Sequence, residues 1–295
     1  VLALETGQDR LREKRLFEHV GLAVHPYEAV STFEDFAAAC ERVGFAHARG
    51  AIAKTRRGGY DGKGQAVVRD RAAVEAAWTA LSGSKDSTRD VLVEQLIAFE
   101  RELSLIGVRG RDASFDAYPL TQNRHENGIL RESVAPAPGV PASVARETTR
   151  HMHALMDALG YVGVLAIEFF LVRDDASEDG VRLLANEMAP RVHNSGHWTI
   201  DAAATSQFEN HIRAVMGLPL GSCAPRDACV MVNCIGAMPA ASDLLAIPGC
   251  ALHDYAKAPR AGRKVGHATL LGARPDDPRV RQVHDLARSA ESSAN

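Results

Sequence analysis

The residues best suited to chemistry in this chain fall into three groups. Thr55 to Gln65, TRRGGYDGKGQ, sets Gly58, Gly59, Gly62 and Gly64 among the cations Arg56, Arg57 and Lys63. Glycine lets the main chain adopt positive φ and approach a ligand closely, and successive N–H groups in such a turn form an anion-binding concavity. A nucleotide phosphate is the expected guest; a mobile hairpin tip with surface cations is the plainer reading of the loop taken alone. It is not a Walker loop, because no GxxxxGK[ST] is present and strands flank it on both sides. Glu168 and Glu187 form the second group, each inside an apolar run (LAIEFF and LLANEMA). If the runs make a hairpin turning near Ser177, the two glutamates lie nearly opposite each other. Two buried carboxylates that close repel unless a cation sits between them, and Mg²⁺ accepts carboxylate oxygens together with phosphates. A register slip sending one of them to solvent or to Arg191 is the alternative. The third group, Arg191, His193 and Asn194 in APRVHNSGHWT, follows directly and can bind a small anion. His193 and His197 are four apart, but NSG between them is a poor helix and HExxH is absent, so a helical zinc pair is not expected.

Weaker candidates lie nearby. Lys54 ends an apolar strand just before the glycine loop, where an ammonium meets a phosphate or simply snorkels to solvent. Glu94 and Gln95 end another β run, and Glu102, Arg109 and Arg131 fall in neighbouring strands where mutual ion pairing is the ordinary account. Lys264 sits beside a Gly turn in GRKVGHATL.

The elements that must position these groups read as follows. GQDRLREKRLFEHVG is a helix with a stripe of Leu11, Leu16, Phe17 and Val20, and STFEDFAAACERVG is a second, with a capping box from Ser31 to Glu34. Short strands flank the glycine loop, DRAAVEAAWTAL is a third helix, and VLVEQLIAF, ELSLIGVRG, FDAYPLTQN and ILRESVAPAP make a mostly antiparallel sheet. A long helix opens near Pro141 and closes at Gly160; two strands around DDASEDG and one helix over TIDAAATSQFENHIRAVMG follow. The fold class is therefore α+β. From about Leu218 proline and glycine become denser, which marks a separate C-terminal subdomain.

At 295 residues the chain can bury a sizeable core, and 46% hydrophobic with 24% charged residues is ordinary globular composition. A net charge of -3 gives no footprint for nucleic acid or an anionic membrane, and no apolar run reaches the length of a span. Five cysteines without CxxC spacing fit a reducing cytoplasm. The first residue is Val1, with neither an initiating Met nor a signal peptide pattern.

KTRRGGYDGKGQ, EQLIAFERELSLIGVR, YPLTQNRHENGILRESVAPAP and NEMAPRVHNSGHWTIDA together resemble the 5-(carboxyamino)imidazole ribonucleotide synthases, ATP-grasp enzymes of purine biosynthesis, from about Gln8 to Gly272. The resemblance implies an ATP-grasp fold: a helical lead-in over 1–44, a lid over 45–98, a large subdomain with the metal site over 99–222 and a small C-terminal subdomain over 223–295. It implies ATP-dependent carboxylation of 5-aminoimidazole ribonucleotide by bicarbonate, giving ADP and phosphate, with carboxyphosphate or CO₂ released from it as the species the amine attacks. ATP contacts carry over onto Arg10, Lys54, Gly59, Tyr60, Asp61, Gly62, Lys63, Gly64, Gln65, Glu94, Gln95, Leu96, Ile97, Glu102, His125, Asn186 and Glu187. Glu168 and Glu187 carry over as ligands of Mg²⁺, with Mn²⁺ as a substitute; Arg191, His193, Asn194 and Lys264 as substrate contacts; and Arg191, Lys63 and Asp61 as catalytic groups. A cytoplasmic homodimer that binds neither nucleic acid nor membrane is implied.

Two departures stand out. Val192 replaces a usual proline, and the family's leading Rossmann-like domain with its GxGQLG loop is not in this sequence, so ATP binding with poor ribonucleotide binding is expected of the residues present. The rivals are another ATP-grasp ligase, such as the formate-dependent glycinamide ribonucleotide transformylase or a biotin carboxylase, and a nucleotide-binding remnant without turnover.

Overall fold

The computed structural model describes residues 2–47, 49–59 and 64–293. Tyr60, Asp61, Gly62 and Lys63 of the glycine loop lie outside the described residues. The chain divides into two units, one of residues 1–100 with 169–188, the other of 101–168 with 189–295.

In the first unit, α1 (Leu2–Gly7) leads into α2 (Arg10–His19). Asp9 caps α2 by accepting from the Leu11 and Arg12 N–H groups, and its carboxylate also takes a bidentate pair from Arg56 at 2.7 and 2.8 Å. The buried face of α2 is Leu11, Glu13, Lys14 and Phe17, so two ionisable residues lie in what reads as an apolar stripe, while Leu16 is only half-buried. Next come β1 (Tyr27–Val30) and α3 (Phe33–Ala39). The cap of α3 is one residue later than the expected Ser31: Thr32 Oγ1 accepts from the Asp35 N–H, and Ser31 instead donates to Asp90. A wider turn over Cys40–Gly44 ends this helix.

β2 (Ala51–Thr55) and β3 (Gln65–Val68) pair antiparallel with Lys54 opposite Gln65, and the Thr55 N–H donates to Gly64 O at 2.8 Å, so the two strands are paired up to Thr55 and Gly64. After α4 (Val74–Ser82) comes β4 (Val91–Gln95), completing a sheet in the order β1-β4-β2-β3. Phe36, Trp78, Val91 and Val93 lie in its core, with the Phe36 and Trp78 rings 5.3 Å apart.

The second unit holds β5 (Arg101–Arg109), β6 (Phe115–Ala117), β7 (Thr121–Glu126), β8 (Ile129–Ala135) and α5 (Ala142–Ala158). β9 (Gly163–Arg173) begins here and passes into the first unit, and β10 (Val181–Ala189) lies in the first unit up to Met188. The turn between β9 and β10 is closed by the Asp174 N–H on Gly180 O at 3.0 Å, centred at the Ser177 that the sequence indicates. The rest of the chain forms α6 (Thr199–Ala202), α7 (Gln207–Met216), β11 (Cys229–Gly236), α8 (Ala241–Leu245), β12 (Cys250–Asp254), β13 (Arg260–Leu271) and α9 (Pro278–Ser292).

The single helix expected over 199–217 is two. Ala203 is extended, at φ −109° and ψ 158°, and Ser206 restarts the chain as the cap of α7 by accepting from the Glu209 N–H. In this unit's sheet β9 lies next to β5, and β5, β7, β8, β11, β13 and β12 follow in order, with β6 on β5. β11 pairs with β8 from Cys229 opposite Ala135 to Val232 opposite Glu132, so the sheet runs continuously past residue 222. Its core has Ile106, Val164, Trp198 and Met231 in one cluster and Val134, Val230, Leu270 and Val283 in another. Four of the five cysteines are buried and all five are free. Among the described residues no helix is long and apolar enough to cross a membrane.

Candidate functional site

In the first unit, two lysines and a histidine converge on Glu94. Its carboxylate is 1% exposed and takes Lys54 Nζ at 2.5 Å, His25 Nε2 at 3.0 Å and Lys14 Nζ at 3.5 Å. Burial pushes the Glu94 carboxyl up, but Lys54, Lys14 and His25 more than reverse this and hold it well below the carboxylate range. Burial lowers both Lys14 and His25. Lys54 Nζ also reaches Asn186 Oδ1 at 3.4 Å, and Lys14 Nζ donates to the carbonyls of Ala185 and Asn186 at 3.3 and 2.9 Å. Lys54 is thus buried and fixed from both sides, not a strand-end cation reaching for solvent.

The side chain of Glu94 faces inward, where it anchors Lys54. The Gln95 N–H donates to Pro26 O and the Leu96 N–H to Gly50 O, while Gln95, Leu96 and Ile97 are half-buried at the end of β4. Arg10 Nη1 meets Glu187 Oε2 at 3.2 Å, and the Glu187 side chain is 43% exposed. Beneath it Glu13, 2% exposed, accepts from the Met188 N–H at 2.6 Å; burial and the Glu187 charge push its carboxyl up to about 8, so it is protonated at neutral pH. Glu13, Lys14 and His25 were not expected in the site. The available signal was Lys14, three residues after Leu11 and three before Phe17, inside the stripe.

In the second unit, Glu168 and His193 pair, Oε1 to Nε2, at 3.2 Å. Burial pushes the Glu168 carboxyl up, but the His193 hydrogen bond and the fields of His193, His125 and Lys264 hold it below its ordinary value. His125 Nδ1 lies 2.6 Å from Glu102 Oε2. Burial works against protonation of His125, and Glu102 and Glu168 overcome it, raising that imidazole above its usual range. Glu102, His125, Glu168, His193 and Lys264 are therefore one electrostatic cluster. The ion pairing expected among Glu102, Arg109 and Arg131 is replaced: Arg109 pairs with Asp157 and Arg131 with Glu291.

The turn carrying His193 is built with care. Gln207, the first residue of α7, clamps its backbone, accepting from the His193 N–H at 2.9 Å and donating to His193 O at 2.6 Å. His193 Nδ1 contacts Ser195 Oγ at 2.8 Å, and a buried chain continues through Ser104, Asn123 and Ser133 in steps of 2.7, 2.9 and 2.8 Å. Gly196 is required by approach rather than by φ: a Cβ there would lie 2.2 Å from Ile106 Cδ1 and 2.9 Å from Gln207 Cδ. Both amide atoms of Asn194 are buried without a hydrogen-bond partner in the protein, which leaves them open to a bound polar group. Arg191 is exposed and donates to Val192 O. Ser195, Gln207, Ser104 and Asn123 were not anticipated, because nothing in their spacing separates them from ordinary polar residues.

The sequence matches the ATP-grasp domain family over residues 15–208 and the phosphoribosylaminoimidazole carboxylase C-terminal domain family over 229–281. It is 43% identical over 273 residues to the N5-carboxyaminoimidazole ribonucleotide synthase of Vibrio vulnificus, covering 92% of this chain and 68% of that one. The Escherichia coli protein of the same name is 41% identical over 262 residues, covering 89% of this chain and 68% of its own. Among solved structures, the synthetase of Thermus thermophilus superposes with a TM-score of 0.81 at 46% identity, over 99% of this chain and 73% of that one. The Aspergillus clavatus synthase in complex with ADP and 5-aminoimidazole ribonucleotide gives a TM-score of 0.83 at 27% identity, over 97% and 74%. With two family matches in order along the sequence and identities above 40% across most of it, this chain belongs to the N5-carboxyaminoimidazole ribonucleotide synthase family of ATP-grasp ligases.

Proposed function

We propose that this protein carboxylates 5-aminoimidazole ribonucleotide with bicarbonate at the expense of ATP, giving the N5-carboxylated nucleotide, ADP and phosphate. The observation that carries the reading is the buried, unpartnered amide of Asn194 next to the Glu168–His193 pair, in a chain whose relatives bear the synthase name. A formate-using transformylase is disfavoured by the match of residues 229–281 to the carboxylase C-terminal domain.

The roles follow from charge and position. Lys54, fixed by Glu94 and Asn186, and Arg10, paired with Glu187, neutralise phosphate oxygens, and the segment Gly59 to Gln65 is assigned to the same phosphates by its sequence motif. Gln95, Leu96 and Ile97 are assigned to adenine, and Glu102 and His125 to the ribose, by their place in the sequence motif. Glu168 and Glu187 are assigned as Mg²⁺ ligands by their place in the sequence motif; each is a hard oxygen donor, and Glu168 stays ionised despite burial. When bound, Mg²⁺ supplies neutralisation of phosphate charge. A bicarbonate oxygen displaces ADP from the γ phosphorus; the substrate amine then attacks the carbon, phosphate leaves and the amine gives up a proton. Arg191, His193 and Asn194 hold the anion, Lys264 the ribonucleotide, and Lys63 and Asp61 complete the catalytic set by their place in the sequence motif. The cytoplasm and a homodimer are part of the same reading.

Phosphate release from ATP is measured with 5-aminoimidazole ribonucleotide plus bicarbonate and, separately, with glycinamide ribonucleotide plus formate. Stimulation by the first pair alone supports the reading. Stimulation by the second pair alone replaces the substrate assignment, and no turnover with either favours a nucleotide-binding remnant.

A further inference from the structure

A second polar cluster, untouched by the reaction above, lies where α6 meets β12 and β13. His253 and His267 are direct cross-strand partners, with their rings stacked 4.5 Å apart at 17°. Asp201 on α6 sets both carboxylate oxygens against His253 Nε2, at 2.9 and 3.1 Å. One donor atom from each of the three lies within 4.8 Å of the others. His267 is fully buried; its Nδ1 is held by the Tyr255 hydroxyl at 2.7 Å, and that hydroxyl also meets His197 Nδ1 at 2.7 Å. This leaves His267 Nε2 buried with no hydrogen-bond partner. An orphaned buried nitrogen is costly unless a guest fills the place.

We propose that Asp201, His253 and His267 form a binding site for a late first-row divalent cation, Zn²⁺ foremost, distinct from the Mg²⁺ site of the nucleotide. Two imidazoles and one carboxylate are a donor set for Zn²⁺, Co²⁺ or Ni²⁺, whereas Mg²⁺ takes oxygen almost alone. Tyr255 is the outer partner that fixes the ring of His267, the arrangement usual behind a ligating histidine. Ligation draws the donors to about 3.3 Å from one another, the edge of a tetrahedron with bonds near 2.0 Å, and tilts the two rings out of their stack. The ion clips α6, which directly follows the HNSGHWT turn, onto two strands of the sheet; its role is to brace that turn.

The test uses untagged protein stripped with a chelator and titrated with Co²⁺ in excess Mg²⁺. A single Co²⁺ per chain with the visible absorption of nitrogen coordination is expected, displaced by Zn²⁺ but not by Mg²⁺. Asp201→Asn and His253→Gln should each remove it; Tyr255→Phe should weaken it by roughly 10–100-fold; Glu187→Gln should leave it intact. Zn²⁺ should raise the melting midpoint of the wild type and not that of Asp201→Asn, whose folding is checked by circular dichroism. Absence of Mg²⁺-resistant Co²⁺ binding, or binding unchanged in Asp201→Asn and His253→Gln, means that a water serves His267 Nε2 and overturns the proposal.

Discussion

Glu94→Gln is the most revealing single change in the first unit. The side chain keeps its volume, but the charge that pairs with Lys54 at 2.5 Å, His25 at 3.0 Å and Lys14 at 3.5 Å is lost. Breaking a buried ion pair by removing one partner costs about 3–5 kcal/mol, since the remaining charges have no solvent to turn to. With glutamine still able to accept a hydrogen bond, the lower end applies, and about 3 kcal/mol lowers the melting midpoint by roughly 6–12 °C if each kcal/mol is worth 2–4 °C. The effect has a definite pH signature. The Glu94 carboxyl is held well below its ordinary value of 4.5, so its contribution is complete above that pH and is lost as the pH falls through the folded-state value. The gap between wild type and Glu94→Gln is therefore widest near neutrality and closes in acid. Lys54 loses its anchor in the variant, so KM for ATP should rise roughly tenfold or more, a charged hydrogen bond being worth about 1.5–3 kcal/mol. Urea unfolding at a series of pH values and ATP-dependent steady-state kinetics measure both. A stability change under about 0.5 kcal/mol that is flat with pH would refute this account of the cluster.

Three further outcomes follow from the second unit. Asn194→Ala should raise KM for the ribonucleotide or bicarbonate by roughly 10–100-fold, the worth of one lost polar contact, with ATP binding by calorimetry unchanged. Gly196→Ala should destabilise by about 1–3 kcal/mol in urea unfolding, because its Cβ would fall 2.2 Å from Ile106 Cδ1. Glu168 is held below its ordinary value of 4.5, so its share of stability is lost only as the pH falls through that lower value; Glu168→Gln should flatten the acid limb of the wild-type stability profile.

Much of this architecture is legible in the sequence because short-range signals and register agree. The glycine loop reads as a hairpin tip, and Lys54 does face Gln65 across it; the turn at Ser177 is likewise where the DDASEDG segment puts it. Local competition blurs the boundaries: Ser31 and Thr32 both offer a cap, and the one whose hydroxyl reaches the Asp35 N–H is Thr32. The break between α6 and α7 is invisible to periodicity, since AAAT continues a helical pattern until Ser206 caps afresh. What the sequence hides most is inward-facing ionisable side chains. Glu13 and Lys14 look like solvent residues on α2 and are buried, because partners distant in sequence, Met188 and Glu94, receive them. The cross-strand pair His253 and His267 is hidden for a similar reason: the chain between them must fold back before two unremarkable histidines become neighbours.

Carboxylation of the amine of 5-aminoimidazole ribonucleotide by this chain is followed by ¹³C NMR of a reaction containing ¹³C-bicarbonate, ATP and Mg²⁺. A new carbamate carbon should form in step with ADP, require the ribonucleotide, and be absent with Glu187→Ala. ADP formation without any ¹³C entering the ribonucleotide would contradict it.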